Sequence, residues 1–394
     1  MRIGMILDQT FPPDPRVENE AVTLIEQGHQ VFLFCLSYDG KHSEEEINGI
    51  QVKRYASSHR EYQLSALAYT VPFYTNSLSK KIQDFIQKNQ VEVLHIHDMR
   101  VAGAVFKANK KHELSTVLDL HENRPEIMKF YPHLQKFPGK YLISLSKWKQ
   151  KEESFVQRAS KVIVVTEEAK QELTNRAGVA MDKIVVVPNS VRKSFYKSSD
   201  FKSDILQKYQ DHFVVLYVGD TNLRRGLLTA IEASKKLSQE ISNYKLVIVG
   251  SNTTDTVLKQ KVRELNVESF VDFEGWQDLS LFPSYIQSSR ICISPLHRNP
   301  HHDTTYANKI FQYMSFGKPL VVSDATAQES IVKRSQSGLI HKAKDVQEYT
   351  NCILQLYQNA ELAKKYGASG KQFIEQEFSW EQTSQDLIEL YADI

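Results

Sequence analysis

"LYVGDTNLRRGLLTAIEA", Leu216 to Ala233, reads in order as a buried strand, a polar turn, two arginines, a glycine and an amphipathic helix. A strand that ends in such a turn and feeds a helix is the repeating unit of a parallel sheet covered on both faces. Ligands of these sheets bind at the carboxyl ends of strands, so the turn itself carries the information. Arg224 and Arg225 fall at or just before a helix N-terminus, where free N–H groups and the dipole already favour an anion. An arginine there can grip phosphate oxygens through two parallel hydrogen bonds. The alternative is a solvated basic helix start.

The same unit recurs on both sides of this stretch. Upstream lie the short apolar runs "RIGMIL", "QVFLFCL", "IQVKRY", "VEVLHIH", "TVLDL", "KVIVVT" and "KIVVVPN". Between them run amphipathic segments such as "RVENEAVTLIEQG", where Val17, Ala21, Leu24 and Ile25 share one face. The polar, serine-rich "SVRKSFYKSSDFKSD" (190–204) then reads as a linker. Downstream come "FVVLYVG", "KLVIVG", "VDFEG", "ICISP", "PLVVS" and "GLIH". The pattern predicts an α/β protein of two doubly wound Rossmann-like domains facing a cleft. Their expected bounds are 1–192 and 193–376, with a C-terminal helix over 377–394.

The totals fit that reading. A chain of 394 residues is long for one core, and 41% apolar with 24% charged residues describes an ordinary globular protein. A net charge of +2 gives no argument for nucleic acid. Cys35, Cys292 and Cys352 lie far apart in apolar contexts, which suits reduced core thiols and matches no zinc or disulfide spacing. No apolar run approaches the ~18 residues that span a bilayer. The expected location is cytoplasmic, at most peripheral to the inner face of a membrane.

A second anion site is expected in "YANKIFQYMSFGKPLVVSD" (306–324), a short helix that stops at Gly317 and enters a strand. Ile310, Phe311 and Met314 form its apolar face, and Thr304, Asn308, Gln312 and Ser315 form a neutral polar stripe. Lys309 sits in the first turn, where it opposes the dipole and gains from a bound anion. Two anion sites at neighbouring strand ends suggest a diphosphate. No G-x-G-x-x-G, G-x-x-x-x-G-K-[ST] or D-x-D occurs, which argues against common dinucleotide enzymes, P-loop ATPases and a metal held by adjacent aspartates. No metal and no cofactor is expected; positive side chains and helix ends would do that work. In the first half, His121 lies just past a strand end with Asp119 and Glu122 beside it, and His97 with Asp98 repeats the arrangement. A histidine so placed can donate a hydrogen bond or handle a proton, or serve only local structure.

Together these residues resemble a glycosyltransferase of the two-Rossmann-domain (GT-B) type, similar to the large retaining family 4. "DPRVENEAVTLIEQGHQV" (14–31) is similar to the family's opening loop and helix, "DLHENRPE" to its D-x-H-E segment, and "YVGDTNLRRGL" to its phosphate turn. "ASKVIVVTEEAKQEL" and "KIVVVPNSV" resemble the strands that close the first domain, "NKIFQYMSFGKPLVVSD" a donor-binding segment, and "FSWEQTSQDLIELY" the tail helix, which by that resemblance returns to the first domain. The resemblance implies a nucleotide-diphosphate-sugar donor on the second domain and a glycan or lipid-linked acceptor on the first. It implies donor contacts from Gly219, Arg224, Arg225, Trp276, Thr304, Asn308, Lys309 and Gln312. Arg225 and Lys309 would neutralise the leaving diphosphate, and His121 would sit over the transferred sugar. Trp276 would border the base, or simply pack in its loop.

Two departures from the family stand out. Its paired glutamates are replaced by Thr304 and Gln312, and its glycine-rich first loop by "FPPDPRV". Asp14 and Arg16, with His97, Asp98 and Glu122, are therefore expected around the acceptor. The segment 129–151 holds six lysines, five aromatics and no acid, the composition of a surface that rests on anionic lipid or of a solvated loop and helix. Two rival functions remain: a sugar-nucleotide 2-epimerase of the same architecture, or a degenerate, non-catalytic partner that binds glycan.

Overall fold

Near-continuous Val, Ile and Leu runs are what a strand needs when both of its faces are covered. The computed structural model, which describes residues 1–40, 42–131, 134, 137, 139–197 and 200–394, contains two such sheets. The first is built from β1 (Arg2–Ile6), β2 (Gln30–Ser37), β3 (Ser43–Ile47), β4 (Ile50–Ala56), β5 (Val93–His97), β6 (Ser115–Asp119), β7 (Lys161–Val164) and β8 (Ile184–Val186). Its strand order is β3-β4-β2-β1-β5-β6-β7-β8, parallel throughout except for β3. That edge strand, "SEEEI", has no apolar alternation and escapes a reading by hydrophobic pattern. It pairs antiparallel with β4 through Glu44–Lys53 and Glu45–Arg54, and its charges blunt an open edge.

The second sheet holds β9 (Phe213–Val218), β10 (Tyr244–Val249), β11 (Val271–Gly275), β12 (Ile291–Ser294), β13 (Leu320–Ser323) and β14 (Gly338–His341), all parallel. Its order, β11-β10-β9-β12-β13-β14, is that of a doubly wound dinucleotide-type sheet. Alternation along β9 explains its composition. Val214, Leu216 and Val218 enter one core, while Val215 and Tyr217 enter the core on the opposite face. Each such aliphatic side chain contributes ~1.5–3 kcal/mol by leaving water.

The chain divides into two compact units, Met1–Pro188 with Ser384–Ile394, and Asn189–Thr383. The serine-rich 190–204 stretch, expected as a linker, belongs to the second unit. Lys193–Lys197 and Ser203–Tyr209 are helical, Tyr209 is buried, and Lys202 N–H donates to Ser284 Oγ; residues 198 and 199 lie outside the described set. Among the described residues no helix is long and apolar enough to cross a membrane.

The expected polar stripe on the helix Lys309–Ser315 is half as wide as it reads in sequence. Thr304 lies outside that helix, just after the short helix Pro300–Asp303, and its hydroxyl donates to the Pro300 carbonyl at 2.7 Å. Ser315 is buried and donates to the Gln312 carbonyl. Asn308 and Gln312 remain, the first exposed and the second half-buried.

Gly226, the N-cap of the helix Leu227–Glu240, has φ of 78° and lies so close to the loop after β12 that a Cβ would overlap the Pro295 carbonyl. Gly226→Ala should therefore lower stability by about 2 kcal/mol or more, from left-handed strain plus the clash. Urea unfolding of the variant beside wild type checks this.

Candidate functional site

In a sheet of this order the chain leaves β9 to one side and returns through β12 to the other, and a crevice opens between their carboxyl ends. The turns after these two strands supply the cluster. Asp220, Arg224 and Arg225 come from the first, and His302 and Lys309 from the second. Gly219 ends β9 with φ of 114°, and a side chain there would stand 3.2 Å from the Lys309 ammonium, so the glycine leaves room for it.

Asp220 binds Arg225 Nε at 3.2 Å and lies 3.8 Å from Arg224 Nη2, while Asn252 donates to its other oxygen at 2.7 Å. Burial alone would raise its pKa, but Arg225 and these hydrogen bonds hold it below the usual carboxylate range. His302 donates Nδ1–H to the His297 carbonyl at 2.7 Å, which leaves Nε2 to accept from Arg224 at 3.0 Å. Burial and the neighbouring Arg225 push His302 down to about 3, so it is a neutral orienting group.

Lys309 differs from its neighbours. Its ammonium is buried, makes no hydrogen bond among the described residues, and sits 3.5 Å above the Tyr217 ring. Burial, then the charges of Arg225 and Arg224, hold it well below the usual lysine range. Two arginines and this lysine thus face one carboxylate, at the place where sheets of this kind take phosphate groups. Among the described residues the Gln312 side chain makes no hydrogen bond. Trp276 is 74% exposed, which removes the reading of a packed loop tryptophan.

The first unit brings its expected histidines together by a different logic. Asp119, fully buried at the end of β6, is the hub. It accepts from His121 Nε2 at 2.7 Å and His97 Nδ1 at 3.2 Å, and pairs with Arg16. Arg16 Nε also donates to Glu20 at 3.0 Å, and Glu20 lies 3.3 Å from His95 Nε2. The remaining His95 nitrogen meets the Tyr391 hydroxyl at 2.8 Å. Burial alone would lower His95, but Asp119 and Glu20 raise it to about 9. His97 is lowered by burial and by the charge of His95, so it is neutral.

This arrangement corrects two expectations. Arg16 and His97 are 6% and 0% exposed and bonded to protein, so both hold Asp119 and do not offer a surface to an acceptor. Asp14 caps the helix Pro15–Glu26 through Val17 N–H, and Asp98 and Glu122 both pair with Arg124. His121, 21% exposed, is the member of the cluster that reaches the surface. Glu20, His95, His97 and Asp119 bring potential ligand atoms within 4.8 Å of one another, a grouping that no local spacing announces. Their donor chemistry argues for a proton and a guanidinium there in place of a metal. Arg16 is bonded to both carboxylates, and the charged His95 completes the neutralisation.

Family comparisons bear on both units. The family model "Glycosyltransferase Family 4" matches residues 16–195, and "Glycosyl transferases group 1" matches residues 198–373. The chain belongs to the family 4, group 1 glycosyltransferases. Its fold agrees: sucrose-phosphate synthase from Thermosynechococcus elongatus superposes with a TM-score of 0.79 at 16% identity, covering 100% of this chain and 98% of the other. HepE from Anabaena, in complex with UDP-glucose, gives 0.74 at 16% identity with 100% of each chain covered. Both similarities support the GT-B architecture. Among curated relatives, the putative glycosyltransferase EpsD of Bacillus subtilis is 22% identical over 183 residues, 46% of either chain. The alpha-D-kanosaminyltransferase of Streptomyces kanamyceticus is 19% identical over 260 residues, 64% of either chain. These matches thus span about half to under two thirds of the relatives' lengths.

The His95 geometry has a consequence for stability. Its pKa is raised in the folded state, so its contribution is complete below the model-compound value of 6.5 and is lost as pH rises through about 9. The loss should be on the order of 3 kcal/mol. Urea unfolding near pH 6 and near pH 10 checks it; His95→Gln should lower stability at the acid end and flatten this step.

Proposed function

We propose that the protein transfers a sugar from a nucleotide-diphosphate-sugar donor to a glycan or lipid-linked acceptor, with retention and without a metal, in the synthesis of a cell-surface polysaccharide or glycoconjugate. The observation that carries this reading is the Lys309 ammonium, buried without a hydrogen-bonding partner among the described residues, beside Arg224 and Arg225 at the crevice of the second sheet. A buried charge of this kind is costly unless something pairs with it, and a diphosphate supplies the missing negative charge. UDP and UDP-glucose complexes of the HepE neighbour support a donor of this class.

The roles follow from charge. Arg225 and Lys309 hold the diphosphate and stabilise the charge that develops as the sugar–phosphate bond breaks, the task a metal clamp performs elsewhere. Arg224, held by His302 and Asp220, orients the same group. Gln312 presents a free amide for the ribose hydroxyls, in place of the carboxylate usual in the family. Trp276 offers an exposed ring to the base. His121 acts at the transferred sugar, its ring held through Nε2 by Asp119.

Calorimetry with a panel of nucleoside diphosphates and the matching nucleosides tests the proposal. Arg225→Ala and Lys309→Met should each weaken diphosphate binding by about ten- to a hundred-fold, the worth of a charged hydrogen bond, and barely affect the nucleoside. Binding should take up protons at alkaline pH, because the diphosphate returns the depressed lysine towards its ordinary range, and affinity should fall as pH rises. Equal losses for both ligands, or no diphosphate binding at all, would overturn the reading.

Sugar transfer should also survive EDTA. Turnover that disappears on chelation and returns with magnesium or manganese would refute the metal-free part of the proposal.

A further inference from the structure

The first unit contains a cavity of about 980 Å³ that the charge cluster around Asp119 does not use. Its walls are mainly apolar, with Leu67, Met128, Leu142, Ile143 and Trp148 among them. Its two arginines bring no uncompensated charge. Arg100 is held by both oxygens of Asp8 at 2.6 Å, and Arg124 is paired with Asp98 and Glu122. A volume of this size with such a lining suits an apolar chain.

We propose that this cavity receives the hydrocarbon chain of a phosphate-bearing lipid, the carrier part of a lipid-linked acceptor. The inference rests on the transferase reading and names its acceptor class. Charge complementarity selects this occupant over an uncharged apolar ligand. The lining residues Gly139, Leu142, Ile143 and Trp148 alternate along the chain with Lys140, Lys147, Lys149 and Lys151. All four lysines are exposed and have no ion-pair partner among the described residues, and the segment 129–151 contains no acid. Residues 132, 133, 135, 136 and 138 of that segment lie outside the described set.

Two further features fit an amphiphile. Phe137 and Tyr141 are 84% and 77% exposed, with their rings 6.4 Å apart, and Phe137 lines the cavity. Large exposed rings beside lysines are the side-chain pair that meets the boundary between hydrocarbon and headgroup. Arg124 also joins the cavity wall to the loop that carries His121, through its ion pairs with Asp98 and Glu122.

Trp148 provides the readout, since it lines the cavity and is the one tryptophan of the first unit. An alkyl phosphate brominated at the chain end, ω-bromododecyl phosphate, quenches indole fluorescence on contact. Added as monomer to the full chain, it should quench wild type saturably and leave Trp148→Phe unquenched. Ala66→Phe, which fills the cavity, and Leu142→Arg, which charges its wall at a half-exposed position, should each weaken the effect at least about ten-fold. Nucleoside diphosphate binding, measured in parallel, should stay unchanged in these variants. Absence of quenching in wild type, quenching equal in both cavity variants, or an effect that requires anionic vesicles would overturn the inference. Because the probe contains no nucleotide, such a result with intact diphosphate binding leaves the donor assignment standing.

Discussion

A buried lysine amine with no hydrogen-bonding partner among the described residues is the constraint around which the second unit is organised. Lys309 lies above the buried Tyr217 ring, and Gly219, with no side chain, leaves room beside it. Gly226 then lets the turn after β9 touch the loop after β12, which brings Arg224 and Arg225 towards the same point. Each of these features would be a defect in a protein selected for stability alone. Collected at the one crevice that strand order creates, they set Arg224, Arg225 and Lys309 around the carboxylate of Asp220.

The first unit solves the opposite problem. Its buried charges are balanced internally, by Arg16 and His95 against Glu20 and Asp119. Such a cluster stabilises weakly compared with apolar packing, but removal of any member leaves another charge stranded. The benefit lies in orientation. With Asp119 immobilised by its other partners, His121 Nε2 has a fixed carboxylate 2.7 Å away. One unit thus gathers positive charge at a crevice and the other balances its charges internally.

Much of this was legible in the sequence, and the reason differs by feature. Six of six strands in the second sheet and seven of eight in the first announce themselves as short apolar runs, most plainly where both faces are buried, as in β5, β9, β12 and β13. β3 does not, since an exposed edge strand has no core face to record. Arg225 and Lys309 could be singled out from sequence because a turn after a strand is a local object. His302, Glu20 and His95 were missed because their partners Arg224, His95 and Tyr391 lie far along the chain, and Asp220 was missed although Arg224 and Arg225 stand only one helical turn on. A signal existed for some of them. Arg16 and Glu20 sit four apart on the otherwise apolar face of the helix Pro15–Glu26, and His95 and His97 alternate on one face of a buried strand. Charges placed where a core is expected mark a network whose other members are elsewhere. The acceptor expectations for Arg16 and His97 failed for that reason: polarity was read as exposure.

The path of the chain has a kinetic meaning. The second unit is inserted between Pro188 and Ser384, and its two ends are tied to each other by Ser190–Thr383 at 2.7 Å and by Trp380 N–H to the Val191 carbonyl at 2.9 Å. The first unit receives Tyr391, the partner of His95, only after the whole of the second has been made. During synthesis the buried cluster around Asp119 must therefore wait with one position open, while the inserted unit, whose ends already meet, is free to fold first.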